Sequence, residues 1–126
     1  MIFVEPSFLI SLFFQNKNHK KSKKIFKDFE DEKLVISWMV IVEVLTVIRK
    51  LKQSDTNVKH AYNSMINDFI IIDDTVYYEK TFIASLTNKI GFFDNLYYIL
   101  MKDLEINEII SFDPDFDIFK DIKRIY

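Results

Sequence analysis

Short apolar runs alternate with longer segments of helical character along the whole chain. Parallel strands need a crossover connection of about a dozen residues or more, usually a helix, and each gap between the first four runs is long enough for one. The pattern therefore predicts an α/β protein with a mostly parallel sheet of four or five strands, in a single domain spanning residues 1–126. The predicted strands are Ile2–Val4, Leu34–Ser37, Phe69–Ile72, Glu108–Ser111 and a short last strand at Ile122–Tyr126.

Helices are predicted between these strands. Pro6 suits the first turn of the first helix, and Asp94 is placed as the N-cap of the last one. The helix from Trp38 to Lys50 is apolar on nearly every side, and Phe69–Ile72 is of the kind found in parallel strands covered on both faces. The predicted helices are Pro6–Phe14, Lys17–Lys27 with an end near Glu30, Trp38–Lys50, Val58–Asn67, Val76–Asn88 and Asn95–Leu104.

The composition excludes several classes of site. Gly91 is the only glycine, whereas a dinucleotide-binding fingerprint and a P-loop each need several. The absence of cysteine excludes disulfides, thiolate nucleophiles and thiolate zinc sites. The two histidines, His19 and His60, lie far apart in the sequence, so a histidine-rich metal site would have to be shared between chains. Any chemistry must therefore use carboxylates, hydroxyls and lysines.

Charge and apolarity limit the partners and the location. The net charge of -2 gives no overall basic field, so a polyanion would be held by a local patch or through metal ions. The apolar N-terminus carries Glu5 and Pro6 and has neither a positive leader nor a cleavage site. The apolar run Leu34–Ile48 is shorter than the roughly 20 residues that span a bilayer. We expect a soluble, cytoplasmic protein without membrane contact.

Glu43 needs an explanation because its neighbours along the predicted helix are almost all apolar. An unpaired buried carboxylate costs several kcal/mol, so it must be protonated, paired with a cation or bound to a metal ion. A salt-bridged structural role and a functional role both fit the sequence. The candidate cations for a salt bridge are Lys33, Arg49 and Lys50.

Three further acids lie where the chain enters or leaves a predicted element: Glu5 after the first strand, Asp94 at a helix start and Asp113 after the fourth strand. Two of them have a structural explanation, since Asp94 can cap a helix and Asp113 can make a turn before Pro114, whereas Glu5 is harder to explain in this way. Strand ends and helix starts on one side of a parallel sheet can also bring them together with Glu43. Such a cluster would need divalent cations to neutralise it, and all-oxygen ligation suits Mg²⁺ or Mn²⁺.

The order and spacing of these acids resemble those of the PIN domain family, whose members include the VapC-type toxin ribonucleases. The resemblance implies a PIN-like three-layer α/β/α sandwich and metal-dependent hydrolysis of RNA. It implies Glu5, Glu43, Asp94 and Asp113 as catalytic metal ligands, Asp115 as a lower-ranked ligand, and Ser7 and Ser111 as supporting or phosphate-side hydroxyls. The segments that carry it are Ile2–Ile10, Val42–Leu45, Gly91–Asp94 and Ile109–Phe116.

One position departs from the family pattern. The family normally has aspartate at the first acidic position, whereas this chain has Glu5 followed by Pro6. The extra methylene moves the carboxylate by on the order of 1.5 Å, while Mg²⁺ requires near-ideal octahedral geometry. An alternative function is therefore a degenerate PIN domain that binds RNA or a protein partner without cleavage. A receiver-like signalling domain fits less well because it needs an acid pair after the first strand, and a purely structural module is a third alternative.

The resemblance also implies partners. VapC-like proteins form homodimers and are inhibited by an antitoxin whose helix lies in an apolar groove beside the acids. Locally, aromatic residues make up 16% of the chain, more than an interior of this size readily buries, which favours an apolar interface. The lysines between Lys17 and Lys27 are either a solvated helix face or a guide for the RNA substrate.

Overall fold

Strands and helices alternate along the chain, as the sequence pattern predicts. The computed structural model describes residues 1–126. The strands are β1 (Ile2–Val4), β2 (Leu34–Ser37), β3 (Ile70–Ile72), β4 (Glu108–Ile110) and β5 (Lys123–Ile125). The helices are α1 (Pro6–Phe13), α2 (His19–Asp28), α3 (Trp38–Lys50), α4 (Asp55–Asp68), α5 (Tyr78–Asn88) and α6 (Phe92–Asp103). Short 3-10 helices are Thr75–Tyr77 and Pro114–Ile118.

The five strands form one sheet in the order β3-β2-β1-β4-β5, and every neighbouring pair is parallel. In the central strand, Phe3 pairs with Val35 of β2 on one side and with Ile109 of β4 on the other. This confirms the predicted α/β class with its mostly parallel sheet. The carboxyl ends of β1 and β4 are neighbours, so the residues that follow these two strands meet at one edge.

Helices cover both faces of the centre of the sheet. Ile2, Phe3 and Val4 are all at most 3% exposed, although consecutive strand residues point to opposite faces. Right-handed crossovers place α1 to α4 on one face and α5 and α6 on the other. In agreement, α1 contacts α2 and α3, whereas α5 contacts α6. None of the six helices has the length and apolar character that a membrane span requires.

Two strand and helix predictions were wrong in detail. The run Phe69–Ile72 is not covered on both faces, because β3 is an edge strand and Ile70 is 43% exposed. Helix α4 begins at Asp55, earlier than predicted, because the Ser54 side chain accepts a hydrogen bond from the Asn57 amide and caps it.

Helix α3 is also less enclosed than predicted. It has an exposed side, on which Trp38 is 43% and Val42 is 55% exposed. Glu43 lies next to this side and is half-buried rather than fully enclosed.

Helix α6 begins before Asp94. The helix starts at Phe92, and Gly91 occupies the N-cap position. Asp94 therefore lies inside the first turn, and its prediction as the N-cap was wrong. A carboxylate in the first turn is still favoured by the helix dipole, but its oxygens are free to face the sheet edge.

Candidate metal centre

Three aspartates converge beyond the carboxyl end of β4. Asp94 comes from the first turn of α6, whereas Asp113 and Asp115 follow β4 directly, and one carboxylate oxygen from each lies within 4.8 Å of the others. The local sequence produces half of this arrangement, because Asp113 accepts a hydrogen bond from the Asp115 amide at 2.9 Å and Pro114 starts the 3-10 helix. This tight turn places both carboxylates on one side.

No cation pairs with any of these aspartates. The salt bridges of the structure join Lys24 to Asp28, Lys102 to Asp121, Lys123 to Glu108 and Arg124 to Asp117. The pKa of Asp94 is raised to about 6. Burial is the main cause, and the nearby charges of Asp113 and Asp115 contribute to the rise. The cluster therefore carries uncompensated negative charge at neutral pH.

Glu5 connects the ends of β1 and β4. Its Oε2 accepts hydrogen bonds from the Ser7 amide at 2.9 Å, from the Ser111 hydroxyl at 2.8 Å and from the Ser7 hydroxyl. The two serines continue the network, because Ser7 Oγ accepts from the Phe112 amide and Ser111 Oγ accepts from the Asp113 amide, both at 3.0 Å. Glu5 thus caps α1 and, through Ser111, fixes the backbone that carries Asp113.

Burial raises the pKa of Glu5 to about 7. Its hydrogen bonds with Ser7 and Ser111 lower the pKa, and the charge of Asp113 raises it. The carboxyl is 7% exposed, so Glu5 is held as a structural link between the two strands as well as a neighbour of the aspartates.

Glu43 approaches the site from α3 and has no ionic partner. None of the salt bridges includes it, so the pairing considered with Lys33, Arg49 or Lys50 is not formed. Its Oε1 is buried without a hydrogen-bond partner. Burial raises the pKa of Glu43 to about 7, the Tyr97 hydroxyl lowers it, and the charges of Glu5 and Asp94 raise it. Glu43 therefore lies close enough to Glu5 and Asp94 for their charges to affect its pKa.

The structure brings the predicted acids to one edge of the sheet but not to one point. Asp94, Asp113 and Asp115 converge, whereas Glu5 and Glu43 adjoin them. Asp115, ranked below the other acids from sequence, is a member of the converging group. A cleft of about 440 Å³ opens beside Asp94 and Asp115. Its other lining residues are Lys89, Ile90, Gly91, Pro114 and Ile118.

The donor set fits a hard divalent cation. The converging atoms are all carboxylate oxygens, no lysine or arginine forms a salt bridge with them, and Glu43 contributes a buried oxygen with no other partner. Mg²⁺ and Mn²⁺ prefer oxygen ligands, and a divalent charge would remove the repulsion that raises the pKa values of these acids.

Sequence reasoning missed Asp74, which fixes the start of α3. Asp74 is fully buried; its Oδ2 accepts a hydrogen bond from the Met39 amide at 3.0 Å and its Oδ1 accepts one from the Tyr78 hydroxyl at 2.8 Å. It thereby ties the beginning of α3, the helix of Glu43, to α5. In the sequence, the pair Asp73 and Asp74 indicated only where the third strand ends.

Sequence reasoning also missed Asn95, which fixes the connection in front of Asp94. Asn95 is 1% exposed, and its Nδ2 donates to Ser85 Oγ, Asn88 Oδ1 and the Ile90 carbonyl at 2.9–3.1 Å. Its Oδ1 accepts from Asn88 Nδ2 at 2.7 Å. A polar residue in the apolar stretch of α6 was the available signal.

Asn95→Ala is expected to lower the free energy of unfolding by about 2–4 kcal/mol, because it leaves several buried polar groups without partners. Urea denaturation monitored by circular dichroism measures this change. Asn63→Ala, on the exposed face of α4, is the matched control and should change stability by less than about 0.5 kcal/mol. Equal stability of the two variants would contradict the role assigned to Asn95.

Comparisons with known proteins agree with this fold. The model of the PIN domain family matches residues 2–122. By sequence alone, the chain matches none of the curated proteins.

Solved structures with the same fold include three toxin or toxin–antitoxin proteins. The Mycobacterium tuberculosis toxin VapC20, which cleaves the sarcin-ricin loop, is similar with a TM-score of 0.83 at 18% identity over 94% of each chain. VapBC2 from Rickettsia felis, bound to a DNA fragment from its promoter, has a TM-score of 0.73 at 16% identity over 99% of this chain and 98% of that one.

A toxin–antitoxin complex from Klebsiella pneumoniae has a TM-score of 0.71 at 17% identity, over 100% of this chain and 97% of that one. At these identities the likeness concerns the fold. The family model, in contrast, matches nearly the whole sequence, including all five acids of the candidate site. The chain belongs to the PIN domain family.

Proposed function

We propose that this chain is a single-domain, metal-dependent endoribonuclease of a VapC-type toxin–antitoxin system, which hydrolyses RNA phosphodiester bonds. The observation that carries the proposal is the convergence of Asp94, Asp113 and Asp115 without a cation, beside a cleft of about 440 Å³. Family membership and the VapC fold of its structural neighbours support it.

In this proposal Asp94, Asp113, Asp115 and Glu43 hold Mg²⁺ or Mn²⁺, with Glu5 beside them. When bound, the metal polarises the scissile phosphate and makes water a better nucleophile at neutral pH. The residues of the chain supply the negative charge that attracts the cation and a half-buried setting that strengthens its electrostatic effect. Glu5 and Ser111 keep the Asp113 backbone in place during binding.

The test of the proposal is cleavage of a panel of end-labelled RNA oligonucleotides by the wild type with Mg²⁺, with Mn²⁺ and with EDTA. Cleavage is expected with the metals and is expected to stop with EDTA. The Asp94→Asn variant is purified identically, and equal cleavage by both proteins would reveal a contaminating nuclease. Cleavage that continues in EDTA would contradict a metal-dependent mechanism.

The second candidate function is a PIN domain that binds RNA or a protein without cutting. The observation that favours it is the engagement of Glu5, where the family has aspartate, in three hydrogen bonds with Ser7 and Ser111. In that case the wild type binds RNA but is inactive with every metal, and Glu5→Asp gains activity. Activity of the wild type excludes this candidate.

The proposal includes an antitoxin, a homodimer and a cytoplasmic location. Two of the structural neighbours are toxin–antitoxin assemblies, which supports an antitoxin partner. Homodimer formation is supported by exposed apolar side chains along α5, where Phe82 is 58%, Ile83 56% and Leu86 70% exposed. RNA as substrate places the protein in the cytoplasm.

The lysines of α2 are proposed to bind the RNA backbone. They are exposed, and Lys21 connects them to the site edge, because its Nζ lies 5.3 Å from the centre of the Tyr126 ring. Arg124 stacks on the same ring at 3.9 Å and donates to the Ser111 carbonyl. These contacts place positive charge next to the strand end that carries Asp113.

Replacing both Lys20 and Lys21 with alanine is expected to raise the KM for RNA cleavage about 3- to 10-fold with little change in kcat. Loss of two phosphate contacts should also reduce the slope of log KM against log salt concentration by about 1–2. The matched control replaces Lys50 and Lys59, exposed lysines of α3 and α4. The same KM in both double variants would show that the α2 lysines are only a solvated face.

A further inference from the structure

Tyr97 is buried beside the acidic site, but its hydroxyl has no hydrogen-bond partner. The side chain is 1% exposed, and its ring packs against Phe3 of the central strand with 5.4 Å between ring centres. It follows Asp94 by three residues in α6, so the two side chains lie on the same side of the helix. A buried unpaired hydroxyl costs about 1–3 kcal/mol, which makes its retention in the core unexpected for a purely structural residue.

The surroundings of this hydroxyl are acidic. Burial raises the pKa of Tyr97 above its ordinary value, and the nearby Glu43, Glu5 and Asp74 raise it further. A tyrosine hydroxyl keeps its proton at neutral pH and can act as a donor. Its natural acceptor is one of these carboxylates.

Two of the three candidate acceptors already accept hydrogen bonds from other groups. Both oxygens of Asp74 accept hydrogen bonds, from Met39 and Tyr78, and Glu5 Oε2 accepts from Ser7 and Ser111. Glu43 Oε1, in contrast, is the one buried carboxylate oxygen in the chain without a partner. The structure thus contains a buried unpaired donor and a buried unpaired acceptor at the edge of the site, and each group alters the pKa of the other.

We propose that Tyr97 is a positioning residue: when the divalent cation binds, its hydroxyl donates a hydrogen bond to Oε1 of Glu43 and so directs the other oxygen of that carboxylate to the cation. The inference rests on the proposed function, since it assigns Glu43 to the metal. A hydroxyl bonded to a carboxylate is charge-assisted and stronger than a neutral pair. Groups that orient metal ligands in this way typically change metal affinity by about 10- to 100-fold when removed.

The test is the Tyr97→Phe variant, which removes one oxygen and keeps the ring. Its Mn²⁺ dissociation constant, measured by titration calorimetry and by electron paramagnetic resonance of free Mn²⁺, is expected to rise about 10-fold. Without metal, its melting temperature is expected to equal or exceed that of the wild type, because the unpaired hydroxyl is gone. A structural residue would show the opposite pattern, with lower stability and unchanged affinity.

Two controls isolate the Tyr97–Glu43 pair. Tyr98→Phe makes the same chemical change one residue later, where the hydroxyl faces Asp121, and should leave Mn²⁺ affinity unchanged. In a Glu43→Gln background, Tyr97→Phe should have no further effect on affinity, whereas independent effects would overturn the inference.

The outcomes separate this inference from the proposed function. Equal Mn²⁺ affinity of the wild type and Tyr97→Phe would overturn the positioning role alone. A wild type that binds no Mn²⁺ would overturn the metal-dependent function and the positioning role together.

Discussion

Asparagine in place of Asp94 is expected to lower Mn²⁺-dependent RNA cleavage by about 100-fold or more, a loss typical of removing one group that stabilises the reacting charge. Asp94 is the one member of the converging group that comes from α6, and it faces the cleft. The asparagine amide keeps the size of the side chain but presents a neutral oxygen, which binds a divalent cation more weakly. The site keeps its shape and loses one negative charge.

The same variant is expected to be more stable than the wild type when no metal is present. Burial and the charges of Asp113 and Asp115 raise the pKa of Asp94 to about 6, so its ionised form is disfavoured in the folded protein. Removing that charge at pH 7.5 should increase the free energy of unfolding by about 1 kcal/mol, after allowance for solvent screening at a half-buried group. Activity and stability should therefore change in opposite directions.

Single-turnover cleavage and urea denaturation without metal, both at pH 7.5, measure the two effects on the same preparations. Asp31→Asn is the matched control, because it makes the same substitution at an exposed aspartate in the turn before β2. It should leave both quantities unchanged. If Asp94→Asn lost activity and stability together, Asp94 would be a structural residue and the metal assignment would need another ligand.

The sequence predicted the parallel sheet because short apolar runs and crossover lengths are local properties. It could not place β3 at the edge, since strand order depends on how the whole chain packs, and the exposure of Ile70 follows from that order. The helix start before Asp94 was missed for a local reason. Gly91 can occupy the N-cap without a side-chain bond, so no capping residue marks the boundary.

The candidate acids could be selected from the sequence, but their grouping could not. Asp115 ranked below the others as an outer-shell or substitute ligand, yet its amide donates to Asp113 in a tight turn and its carboxylate lies with those of Asp94 and Asp113. Glu5 looked like a misplaced ligand, and the structure gives it two hydrogen bonds with Ser7 and one with Ser111, the last of which joins the end of β1 to the end of β4. The bond with Ser111 connects residues about 100 positions apart and leaves no local trace.

The metal-free protein is expected to lose stability as the pH rises from 5 to 8, and Mn²⁺ is expected to restore it. The pKa values of Glu5 and Glu43 are raised to about 7 and that of Asp94 to about 6, all above the values of an unfolded chain. Between the pKa values of the unfolded chain and the raised values of the folded protein, the folded state binds more protons than the unfolded state. The free energy of unfolding therefore falls as the pH rises and levels off above about pH 7.

The acids with lowered pKa values do not mask this fall. Asp73, Asp117 and Asp121 gain favourable contacts when ionised, but their pKa values lie below 3.8, so their effect is complete below pH 5. The free energy of unfolding should therefore fall by on the order of 3 kcal/mol between pH 5 and 8, mostly because of the buried Glu5. This fall corresponds to a drop of roughly 10 °C in melting temperature.

Melting curves between pH 5 and 8, with EDTA and with Mn²⁺, measure the effect. Mn²⁺ should raise the melting temperature little at pH 5, where protons compete for the carboxylates, and most at pH 8, where the ionised acids bind it. Glu43→Gln should flatten the metal-free curve by removing one raised pKa and its repulsion with Glu5, while the exposed control Glu30→Gln should leave it unchanged. A metal-free melting temperature that rises through this range would mean that the acids are compensated within the chain, which leaves no electrostatic demand for a divalent cation.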